Sequence, residues 1–190
     1  MADIRDISAN RRGEVVGRAV RFGGGKLLHP LPDGTPLGVA SARRLLAALP
    51  DVVAVVRPGD DTLAAALAAA GCEVSVCADA VRGMGHSLAH AVAARSNAAG
   101  WVIALADMPA LTTATIAAVA QAVAGGAVLA APVYQGRRGH PVGIGSRFRD
   151  ELLRLEGDAG AREIVAAHRG SISARNRPEG GAAFEILIPR

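Results

Sequence analysis

The run Gly17-Arg18-Ala19-Val20-Arg21-Phe22-Gly23-Gly24-Gly25-Lys26 sets three successive glycines between an arginine and a lysine. Glycine lets backbone amides close on an anion, and the flanking cations add charge, so the chemistry this pattern suits is phosphate binding. Lys26 is the sole lysine of the chain, all other basic side chains being Arg or His. A compact point charge is therefore kept at one position where a planar fork serves less well. The run is not a Walker A loop, which needs glycine at position 20 and Ser or Thr at 27, where the chain has Val20 and Leu27. By composition alone it also reads as a flexible surface loop.

A second candidate is Asp107, which follows the apolar run Trp101 to Ala106 and precedes Met108-Pro109. In open α/β sheets ligands collect beyond the carboxyl ends of the strands, which is where this carboxylate falls. One carboxylate plus substrate phosphates is a usual way to hold Mg²⁺, an ion that keeps several waters and resists all-protein cages. The competing role, capping the next helix, suits Thr112 or Thr113 better.

Three further stretches carry weaker signals. Gly83-Met84-Gly85-His86-Ser87-Leu88 is a glycine-rich turn entering a helix, able either to bond a base or ribose through its backbone or to serve purely as a connection. It lacks the third glycine of a dinucleotide fingerprint and the Gly-x-Ser-x-Gly frame of a nucleophile elbow. His86 and His90 are four apart, but Ser87 stands where a zinc protease needs glutamate. Gly136-Arg137-Arg138-Gly139-His140-Pro141 gathers two guanidiniums and an imidazole in one loop, a pattern that in isolation is more often a solvated surface. Gly157-Asp158-Ala159-Gly160-Ala161-Arg162 reads as a helix start with Asp158 as cap.

The elements that must position these residues alternate. Between Asp51 and Ala131, β-branched runs at Val52 to Val56, Glu73 to Val76, Trp101 to Ala106 and Ala127 to Ala130 alternate with alanine-rich helical stretches. That alternation predicts βαβ units on a mostly parallel sheet. Helices are expected from Pro36 to Leu49 with Thr35 as cap, from Asp60 or Asp61 through Leu63 and Leu67, and from Thr112 or Thr113 through Ile116 and Val119. After Pro132 the glycines and Pro141 to Gly145 predict a hairpin or irregular loop, then helices near Ser146 to Leu155 and Ala159 to His168, and a tail strand from Ala182 to Ile188.

Length and composition bound the rest. In 190 residues, 51% apolar and 20% charged, there is no internal repeat and no linker long enough to divide domains, so one core is expected. The net charge of +4 suits anionic small molecules; with aromatics at 3%, stacking platforms for nucleic acid are scarce. Cys72 and Cys77 lie five apart, the spacing of neither a zinc pair nor a redox dithiol, and read as reduced core thiols of a cytoplasmic protein. Met1 to Gly13 has no apolar core of a secretory signal, and the long apolar stretch Ala114 to Pro132 is broken by Gln121, Gly125 and Gly126, so neither export nor a membrane span is expected.

Taken in order, these stretches resemble the MobA-like nucleotidyltransferases, particularly the molybdenum cofactor cytidylyltransferases. Members open with Leu-Ala-Ala-Gly-x-Ser-x-Arg-Phe-Gly-Gly-x-Lys-Leu-Leu, and here Gly17, Arg21, Phe22, Gly23, Gly24, Lys26, Leu27 and Leu28 fall in that register. Asp107-Met108-Pro109 looks like the family's metal-binding Asp-x-Pro, and Gly83-Met84 with Ser87-Leu88 is similar to its nucleotide-side turn. Arg138-Gly139-His140-Pro141 and Gly157-Asp158 with Gly160-Ala161-Arg162 match its later motifs.

The resemblance implies one domain over 1–190 with a divergent or poorly ordered segment at 1–13, a three-layer Rossmann-like fold, and Mg²⁺ as cofactor. It implies transfer of CMP from CTP, ahead of GTP, to a molybdenum-bound pterin with release of pyrophosphate. Arg21, Lys26 and Asp107 would be catalytic, with Gly17, Arg18, Gly23, Gly24, Gly83 and Ser87 on the nucleotide. Arg138, His140, Asp158 and Arg162 would face the pterin substrate, and Asp107 with Glu185 the metal.

The chain departs from the family in three places: Ser8 to Val16 where a buried strand is expected, Ala19 and Gly25 in the first loop, and Glu185-Ile186-Leu187 for Asp-Ile-Asp in the tail. Glu185 can replace an acidic ligand and Leu187 cannot. These departures keep two alternatives in view: a non-catalytic carrier or partner of a molybdenum hydroxylase, and a nucleotidyltransferase with a sugar-phosphate acceptor.

Overall fold

The computed structural model describes residues 25–135, 137–161, 164 and 166, together with the backbone of the strands at 171–176 and 182–187. Two parallel strands, Val53–Val56 (β1) and Glu73–Val76 (β2), pair with Val53 opposite Glu73. Gly100–Ile103 (β3) and Leu129–Ala130 (β4) do not pair directly, because Val142–Gly145 lies between them and runs antiparallel to both. β3 and β4 therefore run parallel to each other, joined by the helix Thr113–Ala124.

The inserted strand corrects the sequence reading of Pro141 to Gly145 as loop, and makes the sheet partly antiparallel. Its sequence is Val-Gly-Ile-Gly, and glycine is a poor strand former on propensity. Packing explains the glycine: a methyl group on Gly143 would lie 2.6 Å from a Val123 methyl and 2.8 Å from one of Val119, so the helix rests directly on the strand backbone. The expected hairpin forms just upstream, where Val133–Tyr134 (β5) pairs with Arg137–Arg138 (β6); Val142–Gly145 is thus β7.

Alternation along the strands divides the core in two. Val53, Val55, Trp101, Ile103 and Ile144 face one cluster with Leu88 and Val92 of the helix Met84–Ala94 (α3) and Leu152 of the helix Arg149–Leu153 (α5). Val52, Val56, Val102 and Ala130 face the other, with Val39 and Leu45 of Leu37–Leu46 (α1), Leu63 and Leu67 of Asp61–Ala69 (α2), and Ile116 and Val119 of Thr113–Ala124 (α4). Helices cover both faces, giving the three layers of an α/β fold.

The caps follow the sequence in one helix and depart from it in others. Thr112 caps α4, its side chain accepting from the Thr115 amide at 3.1 Å. For α1 the cap position is Pro36 rather than Thr35, whose amide is taken by the Asp33 carboxylate at 2.9 Å. Asp60 stands at the cap of α2 but turns its carboxylate to Arg57 at 3.2 Å.

At the C-terminal end Ser171–Asn176 (β8) pairs antiparallel with Ala182–Leu187 (β9), β9 lying beside β4 and β8 beside β5. The tail strand is thus as expected in its described residues, while β8 was not anticipated. No helix among the described residues is long and apolar enough to cross a membrane.

Candidate functional site

Burial fixes the platform of the site. Every residue of β3 is buried, Trp101 completely and Val102 to within 1%, one on each face. Each such side chain contributes roughly 1.5–3 kcal/mol by leaving water. The strand ends at Ile103, earlier than the run to Ala106 suggests, and a turn follows in which the Met108 amide donates to the Leu105 carbonyl at 3.3 Å. Asp107 sits in that turn, just past the carboxyl end of a strand held by the core.

Lys26 reaches it from the other end of the sequence. It opens the 3-10 turn Lys26–Leu28, closed by the Leu28 amide on the Gly25 carbonyl and the His29 amide on the Lys26 carbonyl, both at 3.1 Å. Leu27 packs into the α1 side of the core, which holds the turn in place. The Lys26 Nζ donates to Asp107 Oδ2 at 2.9 Å across 81 residues of sequence. The two side chains keep 37% and 27% of their surface exposed, so the pair contributes about 0.2–1 kcal/mol at most. The buried strand β3, and Leu27 packed against the core, place these groups; the ion pair does not.

His140 approaches from β6 and β7. Gly139 ties this segment down, its amide donating to the Pro132 carbonyl at 2.8 Å. Burial pushes the His140 imidazole below its ordinary range; the Ile103 backbone opposes the shift, nearby Arg138 adds to it, and the Asp107 carboxylate also opposes it. Its Nδ1 is buried without a partner among the described residues. Arg138 itself is exposed on β6. The carboxyl end of β3 and the start of β7 therefore bring Asp107, Lys26 and the His140 ring into one electrostatic neighbourhood.

A second grouping involves the glycine-rich turn. Gly83 has φ 145° and ψ 166°, a region essentially reserved for glycine. A methyl there would lie 1.9 Å from the Gly157 carbonyl oxygen, and one on Gly85 would lie 2.7 Å from that of Glu156. The Gly85 amide donates to the Gly157 carbonyl at 2.8 Å, so the start of α3 and residues 156–159 meet backbone to backbone. Two motifs expected on different substrates are thus one packed unit. Ser87, expected on the nucleotide, is 1% exposed with its hydroxyl unpartnered among the described residues. Asp158 is exposed in the turn before the helical residue Ala161.

Gly17, Arg18, Arg21, Gly23, Gly24 and Arg162, and the expected N-terminal segment 1–13, lie outside the described residues. Glu185 is described in its backbone alone, opposite Ser173 in the β8–β9 pairing. Sequence reasoning missed the apolar recess beside the pair, lined by Leu27, Gly38, Ala42, Val53, Leu63 and Ala106. Its only signal was the apolar spacing of α1 and α2.

For a divalent cation the donors suit a substrate-assisted site. Asp107 offers a partly exposed, hard carboxylate, and no group of three His, Cys, Asp or Glu side chains stands ready among the described residues. An ion held there needs further oxygen from a bound ligand, the habit of Mg²⁺ and Mn²⁺ with phosphates.

Comparison with known proteins converges on one family. The MobA-like NTP transferase domain matches residues 16–172. No curated protein matches the chain. The crystal structure of Rv0371c from Mycobacterium tuberculosis H37Rv is 30% identical with a TM-score of 0.71, covering 85% of each chain. The manganese complex of the same protein is 26% identical with a TM-score of 0.70, covering 84% of each. A nucleotidyl transferase from Methanothermobacter, at 20% identity and TM-score 0.67 over 83% of this chain and 81% of its own, shares the fold. So does CMP:2-keto-3-deoxy-manno-octonic acid synthetase complexed with CTP, at 11% identity and TM-score 0.59 over 83% of each chain. With a family match running from before the glycine loop to β8, and Lys26 and Asp107 of its two main motifs in contact, the chain belongs to the MobA-like NTP transferases and is a nucleotidyltransferase.

Proposed function

We propose that the protein transfers CMP from CTP to the terminal phosphate of a molybdenum-bound pterin, releasing pyrophosphate, with Mg²⁺ as cofactor. The observation that carries this reading is the Lys26–Asp107 contact at the carboxyl end of β3, which joins a phosphate-type cation to a metal-type carboxylate. An acceptor phosphate oxygen forms a bond to the α-phosphorus of CTP while the bond to the bridging oxygen of the β-phosphate breaks, and pyrophosphate carries away the charge. No protein nucleophile is needed, so the residues act by position and charge.

Lys26 neutralises the triphosphate, together with Arg21 and the amides of Gly17, Arg18, Gly23 and Gly24. The turn at Gly83 borders the nucleotide, with Ser87 packed beneath it in α3. Arg138, His140, Asp158 and Arg162 serve the pterin side. Asp107, with Glu185 as second carboxylate, would hold Mg²⁺, which would withdraw charge from the reacting phosphate. Manganese in the Rv0371c complex supports a divalent ion, and CTP in the octonic acid synthetase complex makes CTP the first nucleotide to test. Both cysteines are free and buried, which fits a reducing cytoplasm.

The test is pyrophosphate release from CTP with Mg²⁺ and the molybdenum-bound pterin, on the natural chain and on Asp107→Asn. Release that falls to background with the substitution supports the reading. No release, or release indifferent to Asp107, contradicts it, and tight pterin binding without turnover would point to a carrier.

A further inference from the structure

Lys26 and a metal ion have claims on the same carboxylate oxygen. The Lys26 backbone is fixed by its 3-10 turn, and Leu27 beside it is packed against the core, but the side chain is long and 37% exposed. Its ammonium stands 2.9 Å from Asp107 Oδ2, within direct hydrogen-bond range. A divalent cation on that oxygen would sit against a like charge. Either the ammonium leaves or the ion binds weakly.

Resting on the nucleotidyltransferase reading, we infer that Lys26 is a lock on the metal site: it occupies Asp107 until a triphosphate draws its ammonium away. Phosphate oxygens are the natural competitor for the contact with Asp107, since a triphosphate offers several charge-assisted acceptors. The fixed turn matters, because only the side chain has to swing. Nucleotide is then the first ligand and metal the second, and by linkage each raises the affinity of the other. The arrangement also keeps a bare divalent ion from settling on Asp107 in a geometry without phosphate. Lys26 is in this respect a positioning residue, acting on the metal through Asp107.

The experiment measures Mn²⁺ affinity by electron paramagnetic resonance, with and without a non-hydrolysable CTP analogue, on the natural chain, Lys26→Met, Lys26→Arg and Asp107→Asn. Without nucleotide, Lys26→Met should bind Mn²⁺ tighter by up to about fivefold, the scale set by one partly exposed ion pair. Lys26→Arg, which keeps the charge, should stay near the natural chain, and Asp107→Asn should lose the site. The factor by which the analogue tightens Mn²⁺ binding should shrink in Lys26→Met. Equal nucleotide-free affinity in Lys26→Met and the natural chain, with the site still lost in Asp107→Asn, would overturn the lock and leave the nucleotidyltransferase reading standing. Absence of Mn²⁺ binding in the natural chain even with the analogue would overturn that reading, and the lock with it.

Discussion

Replacing Gly83 by alanine tests whether the glycine-rich turn is held by packing. Two costs add. The backbone at φ 145° and ψ 166° is unfavourable for any L side chain by roughly 1–3 kcal/mol. The new methyl would also stand 1.9 Å from the Gly157 carbonyl oxygen, a backbone atom that can move only if residues 156–159 separate from α3. Separation breaks the hydrogen bond from the Gly85 amide to Gly157, worth about 1 kcal/mol, and loosens the packing around it by a similar amount. The sum is about 3–5 kcal/mol, which lowers the melting temperature by about 10 °C in a chain of this size. Gly59→Ala is the control: its φ is 85° but nothing lies within 4 Å of the added methyl, so only the backbone cost of about 1–2 kcal/mol remains. Urea and thermal unfolding of both variants give the difference. If Gly83→Ala loses no more than Gly59→Ala, the interlock between α3 and residues 156–159 does not stabilise the fold and the reasoning fails.

Other outcomes follow from the same geometry. Thr112→Ala removes the cap of α4 and should cost about 1 kcal/mol in urea unfolding, while Thr35→Ala, which removes no cap, should cost less. Burial pushes the Cys72 thiol up to about 11, so Cys72 should resist thiol reagents at pH 8 in the folded protein and react once urea unfolds it. His140 is held below its ordinary value of 6.5, so the unfolded chain binds the proton more tightly than the folded one. Stability from this group is therefore complete above about pH 6.5 and falls as acid protonates the unfolded form, and a His140→Gln variant should flatten that limb of the pH–stability curve.

Residue chemistry made part of the site legible before any fold was known. Lys26 stood out as the sole lysine after a glycine run, and Asp107 as a carboxylate ending a β-branched run; chain topology, which sequence spacing does not encode, then joins them across 81 residues. The βαβ alternation likewise marked β1 and β3 because their side chains are largely buried on both faces, and β2, whose ends Glu73 and Val76 are exposed, through its alternating valines. β7 was hidden because Gly143 serves the approach of α4, and Gly145 the approach of residues 127–128, rather than any turn. The turn at Gly83 drew attention for the right residues, but the glycines answer to a close backbone contact with Gly157 as well as to any ligand. Thr35 was a sound cap on propensity, but α1 begins one residue later, with Pro36 at the cap position. β8 alternates over Ser171-Ile172-Ser173-Ala174-Arg175 but holds a single β-branched residue, Ile172, and is completed by its pairing with β9.

The most direct test of the central claim is calorimetric titration of CTP and of GTP, with and without Mg²⁺, into the natural chain and Asp107→Ala. The account predicts Mg²⁺-dependent triphosphate binding, tighter for CTP, that loses its metal dependence when Asp107 is removed. Triphosphate binding that ignores both Mg²⁺ and Asp107, or no binding at all, would contradict it.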